Sequence, residues 1–560
     1  MNSNKYQENI KENIKMNPDW GKNMLRLSIE DIKSKERWRE AGIDIPDFDY
    51  DKALLNTKES PKWVHFGAGN IFRGFIAVLQ QRLLNEGRSD TGIIAAESFD
   101  YEIIDKIYKP YDNLGLLVTM NPDGSLEKKV FASIHEGLAA DPLRVEDWNR
   151  LEEIFKNPSL QMVSFTITEK GYSLKNITGD YFDFVLEDMK NGPEKPVHAM
   201  AKVAALTYTR YRNGKPPLAF VSMDNCAHNG EVLHDSMETI ISKWVKNGLV
   251  EEGFLDYIND EEKVTFPWSM IDKITPRPSE SVREALIQIG FENTEIIKTS
   301  KNTYIAPFVN AEAPQYLVIE DKFPNGRMPL EEAGVIFTDR ETVNKVEKMK
   351  VCTCLNPLHT ALAVFGCLLG YNLIADEMRD EQLRILVEKI AYEEGLPVVV
   401  DPGVLDPEKF IDEVIRERLT NPYIPDSPQR IATDTSQKVG IRFGETIKAY
   451  VQREDLDPRD LQYISLALAA WCRYLLGFDD NGDKMELSSD PMLEELRLYL
   501  KDIEFTNPDS VDESLRPILS EESIMGLNLY EIGLGEKIEG YFKEMIAGKN
   551  AVRKTLQKYL

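Results

Sequence analysis

The sequence predicts an α/β protein: a Rossmann-type, doubly wound, mostly parallel sheet domain followed by a mainly α-helical domain. Three observations carry that prediction. Short apolar runs alternate with helical periodicities from about residue 61 to residue 338. A Gly-x-Gly turn at Gly67 and Gly69 joins the first of those runs to the first helix. Beyond residue 338 the strand signal fades and long helical patterns take over. A chain of 560 residues also exceeds what a single core usually organises.

Taken in order, residues 1–60 form a polar N-terminal extension rich in Asp, Glu and Lys. It carries Trp38 and a Pro46-Asp47-Phe48-Asp49 segment, both expected to pack against the body. Trp63 to Phe66 reads as a strand, broken by Gly67-Ala68-Gly69. Ile71 to Leu84 places Ile71, Phe75, Val78 and Leu79 at helical spacing, and Gly92 to Ala96 is a second strand. Further strands are expected at Leu116–Thr119, Met162–Ile167 and Leu218–Ser222, with helices Glu146–Phe155, Ala199–Tyr211 and Glu231–Lys246 between them. Residues 61–338 therefore make the dinucleotide-binding domain. Residues 339–560 make a helical substrate domain, with helices at Leu358–Leu369, Glu381–Glu394, Pro407–Leu419, Leu461–Leu476 and Leu493–Leu500. No internal repeat is visible.

Composition narrows the function. The formal charge of −27 argues against nucleic acid, which needs a basic face. No apolar run approaches the roughly 18 to 20 residues of a membrane span, and the polar first twenty residues carry no signal sequence. Five cysteines fit a reducing, cytoplasmic setting. Cys352 and Cys354 are a lone C-x-C and the six histidines show no H-E-x-x-H, so no metal is expected.

The glycine turn marks a dinucleotide site. Gly67 permits the tight turn, and Gly69 lets a pyrophosphate approach the backbone at the helix start. Phe72 stands where the third glycine of the fingerprint belongs, and Gly74 follows two residues later. Glu97, at the end of the second strand, is placed to accept the adenosine ribose hydroxyls and to repel a 2′-phosphate, favouring NAD over NADP. Asp100 is the alternative acid, and a solvated strand end the plainer reading of Glu97.

Residues 347–359 gather Lys350, Asn356 and His359 within ten positions, ahead of an apolar run. A proton acceptor, an amide donor and an imidazole there suit metal-free oxidation or reduction of a carbinol. Asn356-Pro357 reads as an N-cap with proline at the first helical position, leaving free N–H groups near His359. An ordinary capped core helix is the other reading. Tyr211 and Lys215 form a Y-x-x-x-K, but Asn213-Gly214 and Pro216-Pro217 make that stretch a turn.

Several segments together resemble the long-chain mannitol dehydrogenase family, from about Trp63 to the end of the chain. They are Gly67-Ala68-Gly69-Asn70-Ile71-Phe72-Arg73, Thr166 to Tyr172, Ser222 to Asn225 with Asn229-Gly230, Met270 to Pro276, Val318 to Arg327, Glu347 to His359, and Asn421-Pro422 leading to Arg430 and Lys438. The resemblance implies that residues 67–73 and Glu97 hold NAD. It implies that Lys350 is the general base, that Asn225 and Asn356 form an oxyanion hole, and that His359 orients the substrate. Glu347 would exchange the proton with solvent, while Asp272, Arg430 and Lys438 line the substrate site. The family spacing is Lys-x4-Asn, whereas Lys350 lies six before Asn356. One extra residue rotates a helix by about 100°, so a bulge or break must absorb it, or Lys348 is the base.

The expected activity is NAD-dependent interconversion of D-mannonate and D-fructuronate, with a small sugar acid or polyol as substrate and neither nucleic acid nor membrane as partner. Arg430, Lys438 and Arg277 favour a carboxylate substrate. Oxidation of mannitol or reduction of tagaturonate are the alternatives within the family. A catalytically dead dinucleotide-binding sensor is the alternative outside it.

Overall fold

The computed structural model describes residues 24–176 and 178–560, so residues 1–23 of the polar extension lie outside the described part. The chain divides into two compact units, Met1–Met120 with Ser125–Val343, and Asn121–Gly124 with Asn344–Leu560.

The first unit is built on a six-stranded, wholly parallel sheet. Its strands are β1 (Trp63–Phe66), β2 (Ile93–Glu97), β3 (Ile134–Ala139), β4 (Met162–Phe165), β5 (Leu218–Ser222) and β6 (Val264–Thr265), in the spatial order β3-β2-β1-β4-β5-β6. This is the doubly wound order, which reverses between β1 and β4 and opens a ligand crevice at their carboxyl ends. Both faces are covered, so β1, β2, β4 and β5 are buried at every position. Alternation sorts β1 between two cores. Val64 and Phe66 pack with the helices Val145–Lys156, Ala199–Arg212 and Asn229–Lys246 on one face, and Trp63 packs with Phe72, Phe75 and Leu79 on the other.

The strand expected at Leu116–Thr119 does not join this sheet. As Gly115–Met120 it lies in a mixed four-stranded sheet, antiparallel to Leu126–Phe131 and parallel to Phe308–Glu312. The parallel partner of β2 is instead β3, whose sequence IHEGLA carries His, Glu and Gly and so lacks the apolar, β-branched signature of a strand. Residues 24–60 are part of this unit: Trp38 is fully buried edge-on to Phe291, and Ile43–Asp44 pairs with the strand Leu126–Phe131.

In the second unit the helices Asn356–Leu369 and Tyr463–Tyr474 are apolar and buried nearly all round, as central helices must be. Two expected helices are α-helical only in their first part. Glu381–Glu388 continues as the π-helical stretch Lys389–Gly395, and Pro407–Glu413 as Val414–Arg418. A third π stretch, Met349–Cys354, splices Arg340–Lys348 onto Asn356–Leu369. The resulting 30-residue run Arg340–Leu369 is long and apolar enough to cross a membrane by length and composition. No such segment stands out in the sequence because only the π turn joins the two helices into one run. Its most apolar window is 78% buried within the protein, as in a core helix.

Candidate active site

In the first unit the site begins where β1 ends. Gly67 sits at φ +101° and a Cβ there would run into the Thr166 carbonyl, so only glycine fits. At Gly69 a Cβ would meet nothing within 4 Å: this is the open side of the turn. The Ala68 N–H donates to Glu97 Oε2 (2.8 Å), and Glu97 Oε1 accepts from the N–H groups of Phe99 (2.9 Å) and Asp100 (3.1 Å). Burial raises the Glu97 pKa against those three donors. Glu97 thus stands at the strand end as expected, but it is 6% exposed and braces the glycine turn. About one of a carboxylate's four acceptor positions is left for a ribose hydroxyl. Asp100 Oδ2 accepts from Thr299 Oγ1 (2.6 Å), and its buried Oδ1 has no partner.

Along the rest of the expected cofactor segment the side chains divide. Asn70 donates to the Tyr304 carbonyl (3.4 Å) while its buried Oδ1 has no partner, and Ile71 is partly exposed. Phe72 and Arg73 face the interior, contrary to a direct side-chain role in binding. Phe72 stacks on His65 (4.1 Å), and Arg73 donates to the Pro307 carbonyl (3.0 Å). The reason is local: the helix opens with the π turn Phe72–Ile76, all of it buried. Gly74 does the packing work of the missing third glycine, since a Cβ there would lie 2.9 Å from Thr275 and 3.3 Å from Val309. The open Gly69 and the unpartnered Asn70 oxygen fit a dinucleotide at this turn.

The loops after β4 and β5 are tied together by Asp224. Its carboxylate accepts from the N–H groups of Ile167 and Thr168 (both 2.9 Å) and from the Tyr172 hydroxyl (2.7 Å), holding Thr168 at φ +63°. Asn229, 1% exposed, donates to the carbonyls of Ser222 (3.2 Å), Asp224 (3.0 Å) and Ser269 (2.9 Å). Between these two anchors Asn225 is presented at the exposed surface of the loop. Asp272, buried, ends the strand Ser269–Asp272, which pairs antiparallel with Tyr316–Glu320.

In the second unit Lys350 is 4% exposed, whereas Lys348 is exposed and Glu347 half-buried. The additional residue between Lys350 and Asn356 is taken up by the π turn Met349–Cys354. Its signature is the Leu355 N–H donating five residues back, to the Lys350 carbonyl (3.1 Å). One expectation fails here. Asn356 is the first helical residue, not the cap; Leu355 holds the cap position, and no side chain caps the helix. Because the chain arrives from a π turn and not from a loop, the helix start is not an open N-terminus.

His359, in the first turn, has Nε2 3.8 Å from Asp426 Oδ2. Burial pushes its pKa down to about 4 against the pull of Asp426, and Arg418, Arg442 and Arg430 act in the same direction as burial. The ring is therefore neutral near pH 7. Arg430 is ion-paired with Asp426, and Lys438 donates to the Thr433 carbonyl. Burial, with Arg442 and Arg430 nearby, lowers the Lys438 pKa. Arg442 donates to Thr360 Oγ1 (2.6 Å), and that hydroxyl donates to the Asn356 carbonyl (2.9 Å). Arg418, Asp426, Thr360 and Arg442 were not legible as site residues, because they come from separate segments with no spacing signal. Among the described residues one group has metal-ligand spacing, His234, Asp235 and Glu238, but His234 Nε2 already pairs with Asn259 Oδ1 (2.8 Å).

The family models "Mannitol dehydrogenase Rossmann domain" and "Mannitol dehydrogenase C-terminal domain" match residues 61–332 and 342–533. The chain is 59% identical over 536 residues to the D-mannonate oxidoreductase of Thermotoga maritima, covering 95% of this chain and 99% of that one. A substrate-free D-sorbitol dehydrogenase superposes with a TM-score of 0.76 at 26% identity, over 92% of this chain and 98% of that one. The Pseudomonas fluorescens mannitol 2-dehydrogenase, in a ternary complex with NAD and D-mannitol, shares the fold with a TM-score of 0.65 at 24% identity, over 92% and 96% of the two chains.

The glycine turn makes a paired prediction. Gly67→Ala is expected to cost more than about 2 kcal/mol of stability, from positive φ plus the carbonyl clash. Gly69→Ala should stay within about 0.5 kcal/mol of wild type. Chemical denaturation measures both, and equal losses would contradict the assignment of the two glycines.

His359 generates a pH prediction. Its folded pKa of about 4 lies below the ordinary 6.5, so its stabilising contribution is complete above pH 6.5 and is lost as the pH falls toward 4. The loss is worth at most roughly 3 kcal/mol. Unfolding free energies measured across that range should decline less steeply for His359→Asn than for wild type. Parallel profiles would show that the imidazole is not held neutral.

Proposed function

We propose that this chain, which belongs to the mannitol dehydrogenase family, interconverts D-mannonate and D-fructuronate with NAD. It is an oxidoreductase acting on a CH–OH group. The observation that carries the substrate reading is the 59% identity to a D-mannonate oxidoreductase along 99% of that relative's length. The solved mannitol 2-dehydrogenase lends its fold and no more.

When bound at the Gly67–Ile71 turn, NAD supplies the hydride acceptor at its nicotinamide. The buried Glu97 carboxylate at the end of β2 disfavours a 2′-phosphate there. Lys350 takes the carbinol proton during oxidation and returns it during reduction. Asn225 and Asn356 donate N–H groups to the oxygen whose charge develops. His359, neutral, hydrogen-bonds a substrate hydroxyl, and Glu347 exchanges the lysine proton with water. Asp272, Arg430 and Lys438 line the substrate, and no metal takes part. A neutral polyol is the second reading, favoured by one observation: Arg430 is already committed to Asp426.

Activity with NADH and each of D-fructuronate, D-tagaturonate and D-fructose tests the assignment. The highest kcat/KM is expected with D-fructuronate, with NADH preferred over NADPH and turnover persisting in EDTA. A preference for fructose would overturn the substrate reading, and a preference for NADPH the role of Glu97.

Lys350→Ala is expected to lower kcat by roughly 10² to 10⁴, the usual worth of one acid–base group, with NADH affinity little changed. Lys348→Ala should remain close to wild type, because Lys348 is solvent-exposed. The reverse pattern would make Lys348 the base.

A further inference from the structure

Buried guanidinium groups usually answer to an anion or to several carbonyls. Arg210 donates to the carbonyls of Phe155, Asn157, Leu160, Pro216 and Pro217, and Arg473 to those of Met545, Phe478 and Asp479. Arg442 has neither. Its hydrogen bond goes to the neutral Thr360 hydroxyl (2.6 Å). Among the described residues no carboxylate lies within ion-pair distance of it, in a chain with 94 acidic side chains against 67 Lys and Arg. Burial alone pulls its pKa down, to about 10, with no carboxylate offsetting the effect.

The backbone that carries Arg442 is closely packed. Arg442 rides on the π turn Gly440–Gly444, whose end glycines press on the backbone of Ile524 and Met525 and leave no room for a Cβ. Its partner Thr360 adjoins His359, and Arg442 acts electrostatically on that imidazole. The two cations expected to meet a substrate carboxylate are otherwise engaged, Arg430 by Asp426 and Lys438 by the Thr433 carbonyl.

We propose that Arg442 binds the carboxylate of a sugar-acid substrate and sets the preference for it over the corresponding polyol. This rests on the substrate reading above. A planar carboxylate matches the guanidinium fork and supplies the anion that the folded chain withholds. In D-fructuronate the carboxylate stands where D-fructose has a hydroxymethyl group, so the two ketones isolate this one interaction.

The experiment compares kcat/KM for D-fructuronate and D-fructose in wild type, Arg442→Met and Arg442→Lys. NADH binding and the unfolding midpoint serve as folding controls. The fructuronate-to-fructose ratio is expected to fall about 100-fold in Arg442→Met, the worth of a charge-assisted pair, through KM more than kcat. Arg442→Lys should lose roughly 10-fold, keeping the charge without the fork, and it decides the matter if the methionine variant does not fold. Product inhibition by D-mannonate should weaken in parallel. Equal losses on both ketones, or no loss, would overturn the proposal by making Arg442 a prop for Thr360. A wild-type enzyme that prefers fructose to fructuronate would instead remove the substrate reading, and this proposal with it.

Discussion

The second unit depends on a single constraint: the helical run Arg340–Leu369 carries one residue more than regular α-helical packing accommodates. The excess is placed in the π turn Met349–Cys354, where the Leu355 N–H reaches the Lys350 carbonyl. A π turn costs hydrogen-bond quality, and it is retained where side-chain placement repays it. Here it leaves Lys350 buried and Lys348 exposed, and it seats Asn356 as the first residue of the following helix. Two other π turns, Val414–Arg418 and Gly440–Gly444, present Arg418 and Arg442, which both act on His359. The cations around the imidazole thus sit largely on irregular helix.

In the first unit buried polar groups perform the equivalent positioning. Glu97 holds the glycine turn through the Ala68 N–H, Asp224 joins the loops after β4 and β5, and Asn229 pins the second of those loops to the strand Ser269–Asp272. Each group is desolvated and answered by several hydrogen bonds, which is what makes a buried polar group a fixed post instead of a liability. The parallel sheet, covered on both faces, gives these posts a firm base. Exposed Asn225 is held because its neighbours are not exposed.

Both units use buried acids to restrain backbone, Glu97 and Asp224 in the first, Glu394 and Asp480 in the second. The second also concentrates Arg418, Arg430 and Arg442 about His359, sets Lys438 near the last two, and commits Asp426 to Arg430. Three buried histidines, His65, His135 and His198, and the half-buried His359 are all pushed well below the ordinary range by desolvation, so acid weakens the fold before it titrates most carboxylates.

What the sequence by itself determined is local and periodic. Trp63–Phe66 and Leu218–Ser222 were legible to the residue, because a buried parallel strand is a short apolar run between turn residues. Gly67 was legible because a strand-to-helix turn at positive φ demands glycine, and the resemblance carried by ordered motifs named the family. Tertiary structure alone decided the rest. The strand IHEGLA became β3 through the neighbours it pairs with, and Leu116–Thr119 went to a second sheet for the same reason. Phe72 and Arg73 turned inward because a π turn rotated them away from the crevice side. Arg430 stands in a motif and Arg442 in none, yet the first meets Asp426 and the second meets no carboxylate among the described residues. A charge's partner is chosen by contacts between distant segments, and no periodicity within either segment records that choice.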